Sequence, residues 1–214
     1  MRTFNIDDFW FIIDATQWTI LLSLIAFIGG GAVGLLVALG RVSKRRWLRI
    51  GTKVYIEFFR GTPLLLQLFL VFFGLPILGV EVDIWYAASI ALIINSSAFL
   101  AEIWRGCIQA VPQGQAEAAS ALGLTYKQEM MDVILPQAFK ISIPPTVGYL
   151  VQIIKATSLT AIIGFIELTR AGQITNNTTF QPLIIFSLVA AIYFILCWPL
   201  SLYATRLENK FNRA

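Results

Sequence analysis

A chain of 214 residues that is 57% hydrophobic and only 13% charged carries more apolar side chain than one soluble core of that size can bury. The composition excludes an ordinary soluble domain and predicts a polytopic membrane protein. The net charge of +4 is no nucleic-acid footprint, because the basic residues cluster beside apolar segments, and a sequence without histidine lacks the commonest general base and a usual zinc ligand.

Asp7, Asp8 and Asp14 precede the first apolar run, where a cleavable signal would be basic. Residues 7–15 are expected as a short helix along the outer interface. Five apolar stretches of about 20 residues follow, each long enough to cross a hydrocarbon core. They cover residues 18–39, 62–79, 84–101, 141–166 and 183–204, and Lys155 alone interrupts the fourth. The expected fold is all-α, one domain over 1–214 with five transmembrane helices. Trp18, Trp85, Trp104, Trp198 and Tyr203 near the span ends read as interfacial anchors. In the first span, Gly30 and Gly34 have the spacing for close helix packing, expected within one subunit.

Between the first two spans stand Arg41, Lys44, Arg45, Arg46, Arg49, Lys53 and Arg60, mixed with Trp47, Leu48, Ile50, Val54 and Phe58. That mixture predicts an interfacial helix attracted to anionic lipid. Glu57 and Arg60 are spaced to pair at i,i+3, and Gly61 and Pro63 punctuate the entry to the second span. Cys107 and Cys197 lie near membrane boundaries and read as structural thiols. Basic residues dominate the 41–60 segment and the C-terminal tail, and the loop after the third span carries Arg105, Lys127 and Lys140; acidic residues dominate the other side. The N-terminus is therefore expected outside, and the C-terminus and the loop of about 105–140 in the cytoplasm.

That loop contains EAASALGLTYKQEMMDVILP, Glu117 to Pro136. Strong helix formers run from Ala116 to Leu122, and Gly123 suits a left-handed helix end. Thr125 and Gln128 have capping-box spacing, so a second short helix is expected to run toward Pro136. The first helix presents Ala118, Ala119 and Ala121, with Leu122 as its one large apolar residue.

Polar groups within the spans are costly and mark cavities or helix contacts. At 1.5 Å per residue, Asn95 and Gln152 both sit about 17 Å from their span starts, with Lys155 one turn beyond Gln152. Asn95, Ser96, Gln152, Lys155 and Ser158 are expected to line one shared cavity, where Lys155 would meet a carboxylate. Helix-to-helix bonding is the alternative for the same residues. Glu102 is expected to pair with Arg105, Glu167 to be solvated at the outer boundary, and Pro144 and Pro145 to open the fourth span.

The 117–136 segment resembles the EAA loop of ABC-transporter permease subunits. The matching residues are Glu117, Ala118, Ala119, Gly123, Val133, Leu135 and Pro136, with Val133 where the pattern usually has Ile. EFFRGTPLLLQLF (57–69), NSSAFLAEIWRGCIQAVPQGQAEAA (95–119) and KATSLTAIIGFIEL (155–168) resemble the subfamily that takes up polar amino acids, the histidine, glutamine and arginine type. The resemblance implies a type I importer permease in the bacterial inner membrane. It implies that the loop, through Glu117, Ala118, Ala119, Leu122, Gly123, Leu135 and Pro136, docks on a separate ATP-binding subunit. It further implies a second permease subunit, identical or related, and an extracytoplasmic amino-acid-binding protein. The chain has no GxxxxGK[ST] loop, so ATP would be bound by the partner, with no catalytic residue, metal or cofactor here. The absence of HExxH, GxSxG and an intramembrane Asp pair argues against a membrane enzyme. A secondary transporter or channel independent of ATP is the other reading, and it leaves the 117–136 pattern unexplained.

Overall fold

In the computed structural model, residues 2–211 are described and every regular element among them is helical. They are α1 (Ile6–Val42), α2 (Arg46–Gly61), α3 (Leu64–Ile77), α4 (Ile84–Gln109), α5 (Gln113–Ala121), α6 (Tyr126–Ile163), α7 (Leu168–Thr179) and α8 (Pro182–Phe211). The helices α1, α4, α6 and α8 are long and apolar enough to cross a membrane. A fifth span exists only if α2 and α3 count as one, and these meet at 101°. At 14 residues α3 is about 21 Å long, short of a hydrocarbon core of about 30 Å.

Three boundaries differ from expectation. Residues 7–15 are not a separate interfacial helix but the first turns of α1, closed by a capping box between Asn5 and Asp8. The second short helix of the 117–136 loop is continuous with the fourth span. Pro136 does not stop it, because the wide π turn Glu129–Ile134 precedes the ring, and Leu135 N–H reaches back to Met130 O. The loop itself therefore shrinks to α5 and its flanking turns. Pro144 and Pro145 lie well inside α6 rather than in its first turn.

α1 packs most extensively on α4. Small residues make this possible: Ala87, Ala88 and Ala91 of α4 are buried in the main apolar cluster with Leu22 and Ala26 of α1, Leu68 of α3 and Ile153 of α6. A Cβ on Gly30 would lie 2.7 Å from Ser96 Cβ, so the Gly30–Gly34 stripe packs within this chain, as expected. A second cluster joins Ile12 and Ala15 of α1 to Leu168 and Ala171 of α7 and to Ile185 and Val189 of α8. α8 also packs along α6. Trp18, Trp85 and Phe165 meet edge to face at the 18/84 end of the bundle. Trp104 Nε1 donates to Thr146 Oγ1 at 2.9 Å, which ties α4 to α6.

Candidate functional site

α5 begins after Pro112 and ends at Leu122, followed by Gly123 at φ +76°, a conformation L side chains rarely adopt. Gly123 N–H donates to Ser120 O (3.0 Å) and Leu124 N–H to Ala119 O (3.1 Å), which is the Schellman closure. Thr125 then caps α6 with Gln128 in a reciprocal capping box. The turn reverses the chain so that α5 lies on the start of α6. Val111, Ile134 and Ala138 form the seat, with Ala116, Met130 and Val133 packed around it. Tyr126 Oη donates to Val42 O at 3.2 Å and anchors this end of α6 to the end of α1.

The outer side of α5 is open. Glu117, Ala118, Ser120, Ala121 and Gly123 are exposed, and Leu122 is 81% exposed. Ala119 is the exception among the expected contact residues: it is buried beneath the helix. Leu135 is half-buried and Pro136 exposed on the neighbouring turns of α6. The result is a short, small-sided helix with one projecting leucine, presented on a rigid turn.

The polar residues of the spans divide. Asn95 Nδ2 donates to Gln67 Oε1 at 3.2 Å, and Gln67 Nε2 donates to Phe59 O at 2.8 Å and to Thr62 O at 3.1 Å. Pro63 has no N–H to give Phe59 O, its i−4 carbonyl, so Gln67 supplies the missing donor at the α2–α3 bend. Asn95 thus holds the broken span, and Ser96 is buried against Gly30 of α1. Gln152 and Lys155 are exposed on another face, in a groove of about 580 Å³ between α6 and α8 that Pro144, Pro145, Ser201 and Glu208 also line. The expectation of one cavity shared by Asn95 and Lys155 is not met, because these residues face different partners. Ser158 is half-exposed and its Oγ donates to Lys155 O at 2.7 Å. The two prolines deprive Lys140 O and Ile141 O of their helical donors, which adds acceptor capacity beside the groove.

Two further constellations were not read from the sequence. Arg105 grips Glu102 through two nitrogens, at 2.8 and 2.6 Å, as spacing predicts. Arg60, however, does not pair with Glu57. Lys53 takes Glu57 at 3.5 Å, while Arg60 lies 3.6 Å from Glu102 and 5.3 Å over the Phe99 ring, which stacks on Tyr149. A guanidinium already shared between a carboxylate and a ring keeps 41% of its side-chain surface open. No local signal gives this, because the partners come from three helices. Glu167 is the second case. It is fully buried, not solvated. Its carboxylate caps α7 through Arg170 N–H at 2.9 Å and accepts from Tyr193 Oη at 2.8 Å and from Thr19 Oγ1, joining α1, α7 and α8. Burial pushes its pKa above the ordinary 4.5, against those hydrogen bonds, which lower it.

The family described as "Binding-protein-dependent transport system inner membrane component" matches residues 30–213. Two proteins of Bacillus subtilis (strain 168) are similar to this chain. A probable amino-acid ABC transporter permease, YckA, is 39% identical over 206 residues, covering 96% of this chain and 91% of the relative. The L-cystine transport system permease TcyB is 41% identical over 208 residues, covering 96% and 89%. Among solved structures, one described as an amino acid ABC transporter with histidines superposes with a TM-score of 0.89 at 36% identity, covering 94% of each chain.

Proposed function

This chain belongs to the family of binding-protein-dependent transport system inner membrane components and is a multi-pass permease of the amino-acid ABC importer class; from that premise we propose how it works. The exposed face of α5 docks on a separate ATP-binding subunit. The N-terminus lies outside the cell and the C-terminus and α5 lie in the cytoplasm, where ATP is; the basic residues between α1 and α2 and at the end of α8 support that orientation. The cargo is a polar amino acid, handed over by an extracytoplasmic binding protein. Relatives named for glutamine, arginine and cystine transport support that substrate class.

One chain offers only half a path. The groove between α6 and α8 opens to one side, so a second permease, identical or related, closes it. Gln152, Lys155 and Ser158 then face the path, with Lys155 opposite the substrate carboxylate. Asn95 and Ser96 shape it from behind, by fixing the α2–α3 bend and the α1–α4 contact. Closure of the ATPases on ATP moves the α5 knobs, and because α5 is seated on α6, the motion passes directly into the helix that carries Gln152 and Lys155. Hydrolysis resets the cavity inward.

The observation that carries this reading is the projecting Leu122 on a helix end locked by Gly123. Gly123→Asp puts a Cβ and a negative charge on the left-handed turn that closes α5, and Glu117→Lys reverses the charge on the exposed face. Both variants are expected to lose co-purification with the ATP-binding subunit while the permease itself still reaches the membrane. Intact assembly and uptake in both would rule out docking through α5.

A further inference from the structure

From Ile84 to Glu102 is about 27 Å of helix axis, so Glu102 still lies within the length of a hydrocarbon core. Its carboxylate is already satisfied by Arg105, which donates to both oxygens, at 2.8 and 2.6 Å. Arg41 adds its charge from the end of α1. Arg60 is the third cation on this one carboxylate. At 3.6 Å from Glu102 Oε1 its Nη1 is past hydrogen-bond distance, and no other acceptor among the described residues takes one of its N–H groups. The cluster therefore carries excess positive charge, and Arg60 is the member without a full partner.

Phe99 carries the Arg60 guanidinium 5.3 Å from its ring centre and stacks on Tyr149 of α6 at 5.5 Å, 16° from parallel. A guanidinium laid on a ring keeps its N–H edge free for a planar acceptor. Tyr149 stands about 60° around α6 from Gln152 and about 4.5 Å along it, and about 9 Å along the axis from Lys155. Arg60 thus lies beside the exposed face of α6 that carries Gln152 and Lys155, nearer to the α5 end. The groove with α8 occupies the other flank of that face. Lipid is a costly neighbour for a half-open guanidinium at this depth, so the open edge meets the water of the path.

We propose that Arg60 is a second binding group of the transport path, which takes the carboxylate of the amino acid after Lys155 releases it. This rests on the path proposed above. A carboxylate that leaves one cation in a low-dielectric passage needs another within reach, or it bears the cost of an unpaired charge. Arg60 stands one short step further on and offers a fork matched to two carboxylate oxygens. Glu102 does not compete for that fork, because Arg105 already fills it. The surplus charge of the cluster is what the arriving anion neutralises.

The test measures binding to the assembled permease–ATPase complex in detergent, without nucleotide and without the binding protein, where the path is open toward the α5 end. The common L-amino acids are screened by thermal shift. The tightest binder is then compared with its α-carboxamide, which keeps the side chain and lacks the carboxylate charge. The wild type is expected to bind the acid about tenfold or more tighter than the amide. Arg60→Gln is expected to bring that ratio near one, Arg60→Lys to keep part of it, and Lys155→Ala to keep all of it. A melting temperature that falls in both Arg60 variants with the ratio unchanged would show that Arg60 serves only the fold. A ratio lost in Lys155→Ala and kept in Arg60→Gln would place the carboxylate at Lys155 alone. No binding by the wild type would mean that the resting complex holds no such station. Each of these overturns the proposal. Should Arg60→Gln fail to assemble, Arg60→Lys carries the test, and an unchanged ratio in it is equally fatal. The binding assay needs neither uptake nor ATP, so normal uptake in Lys155→Ala, with the ratio lost in Arg60→Gln, would count against Lys155 and leave Arg60 in place.

Discussion

At Gly34 the α1 backbone comes so close to α4 that a Cβ would lie 2.9 Å from Ser97 O and 3.3 Å from Leu100 Cβ. A backbone oxygen cannot swing aside as a side chain does, so Gly34→Ala pushes the helices apart. The expected loss is about 1–3 kcal/mol of stability, seen as a lower melting temperature in detergent. Gly31 is the internal control: its added Cβ meets only Trp104 Cη2 at 3.7 Å, an ordinary contact, so Gly31→Ala is expected to leave the melting temperature unchanged or raise it. Equal losses in both variants would mean that α1 and α4 do not meet as described. This residue was legible because a spacing of four small residues is a local pattern. Glu167 was not. A single carboxylate at a span edge is ordinarily solvated, and the hydroxyls that satisfy it come from Thr19, 148 positions away, and Tyr193, 26 positions away. No window of sequence holds both.

Among the elements, Pro136 is where local reading failed, and the reason is local geometry. Pro136 sits just after a wide π turn, 129–134, which absorbs the missing N–H and the clash of the ring with the preceding turn. Such a turn leaves no signature in residue type, so Pro136, which reads as a helix end, lies inside a continuous rod. Pro63 does break its helix, as Gly61 and Pro63 together suggested, but the sharpness of the bend depends on Gln67 eight residues from Phe59. Replacing Gln67 by Leu leaves Phe59 O and Thr62 O without that donor in an apolar setting. The expected cost is about 1–3 kcal/mol, and Asn95→Ala, which removes only the bond behind it, is expected to cost about 0.5–1.5 kcal/mol. Thermal unfolding of the two variants in detergent measures both. A Gln67→Leu protein as stable as the wild type would show that the bend is held by packing alone.

Across the whole molecule, composition, span count and the 117–136 motif were sufficient to reach the family, since each is a property of sequence order alone. What sequence order does not encode is which side of a long helix meets which neighbour. Depth arithmetic placed Asn95 and Gln152 at similar levels in the bilayer, but level is one coordinate of three. Asn95 turns toward α3, and Gln152 and Lys155 turn toward α8. That separation assigns different consequences to substitutions that depth alone would treat as equivalent. Lys155→Ala removes a cation from the open groove without touching the α5 seat or the α2–α3 bend. In the reconstituted importer its uptake is expected to fall about 10- to 100-fold, as the loss of one charge-assisted hydrogen bond implies, while ATP hydrolysis stays coupled to the binding protein. Gln152→Ala is expected to fall about 2- to 10-fold, the range for a neutral hydrogen bond. Substrate uptake and ATPase rate measured on the same proteoliposomes separate the two quantities. Normal uptake in both variants would move the path off this face of α6; loss of coupling together with uptake would mean that Lys155 acts on the stroke of the machine rather than on its cargo.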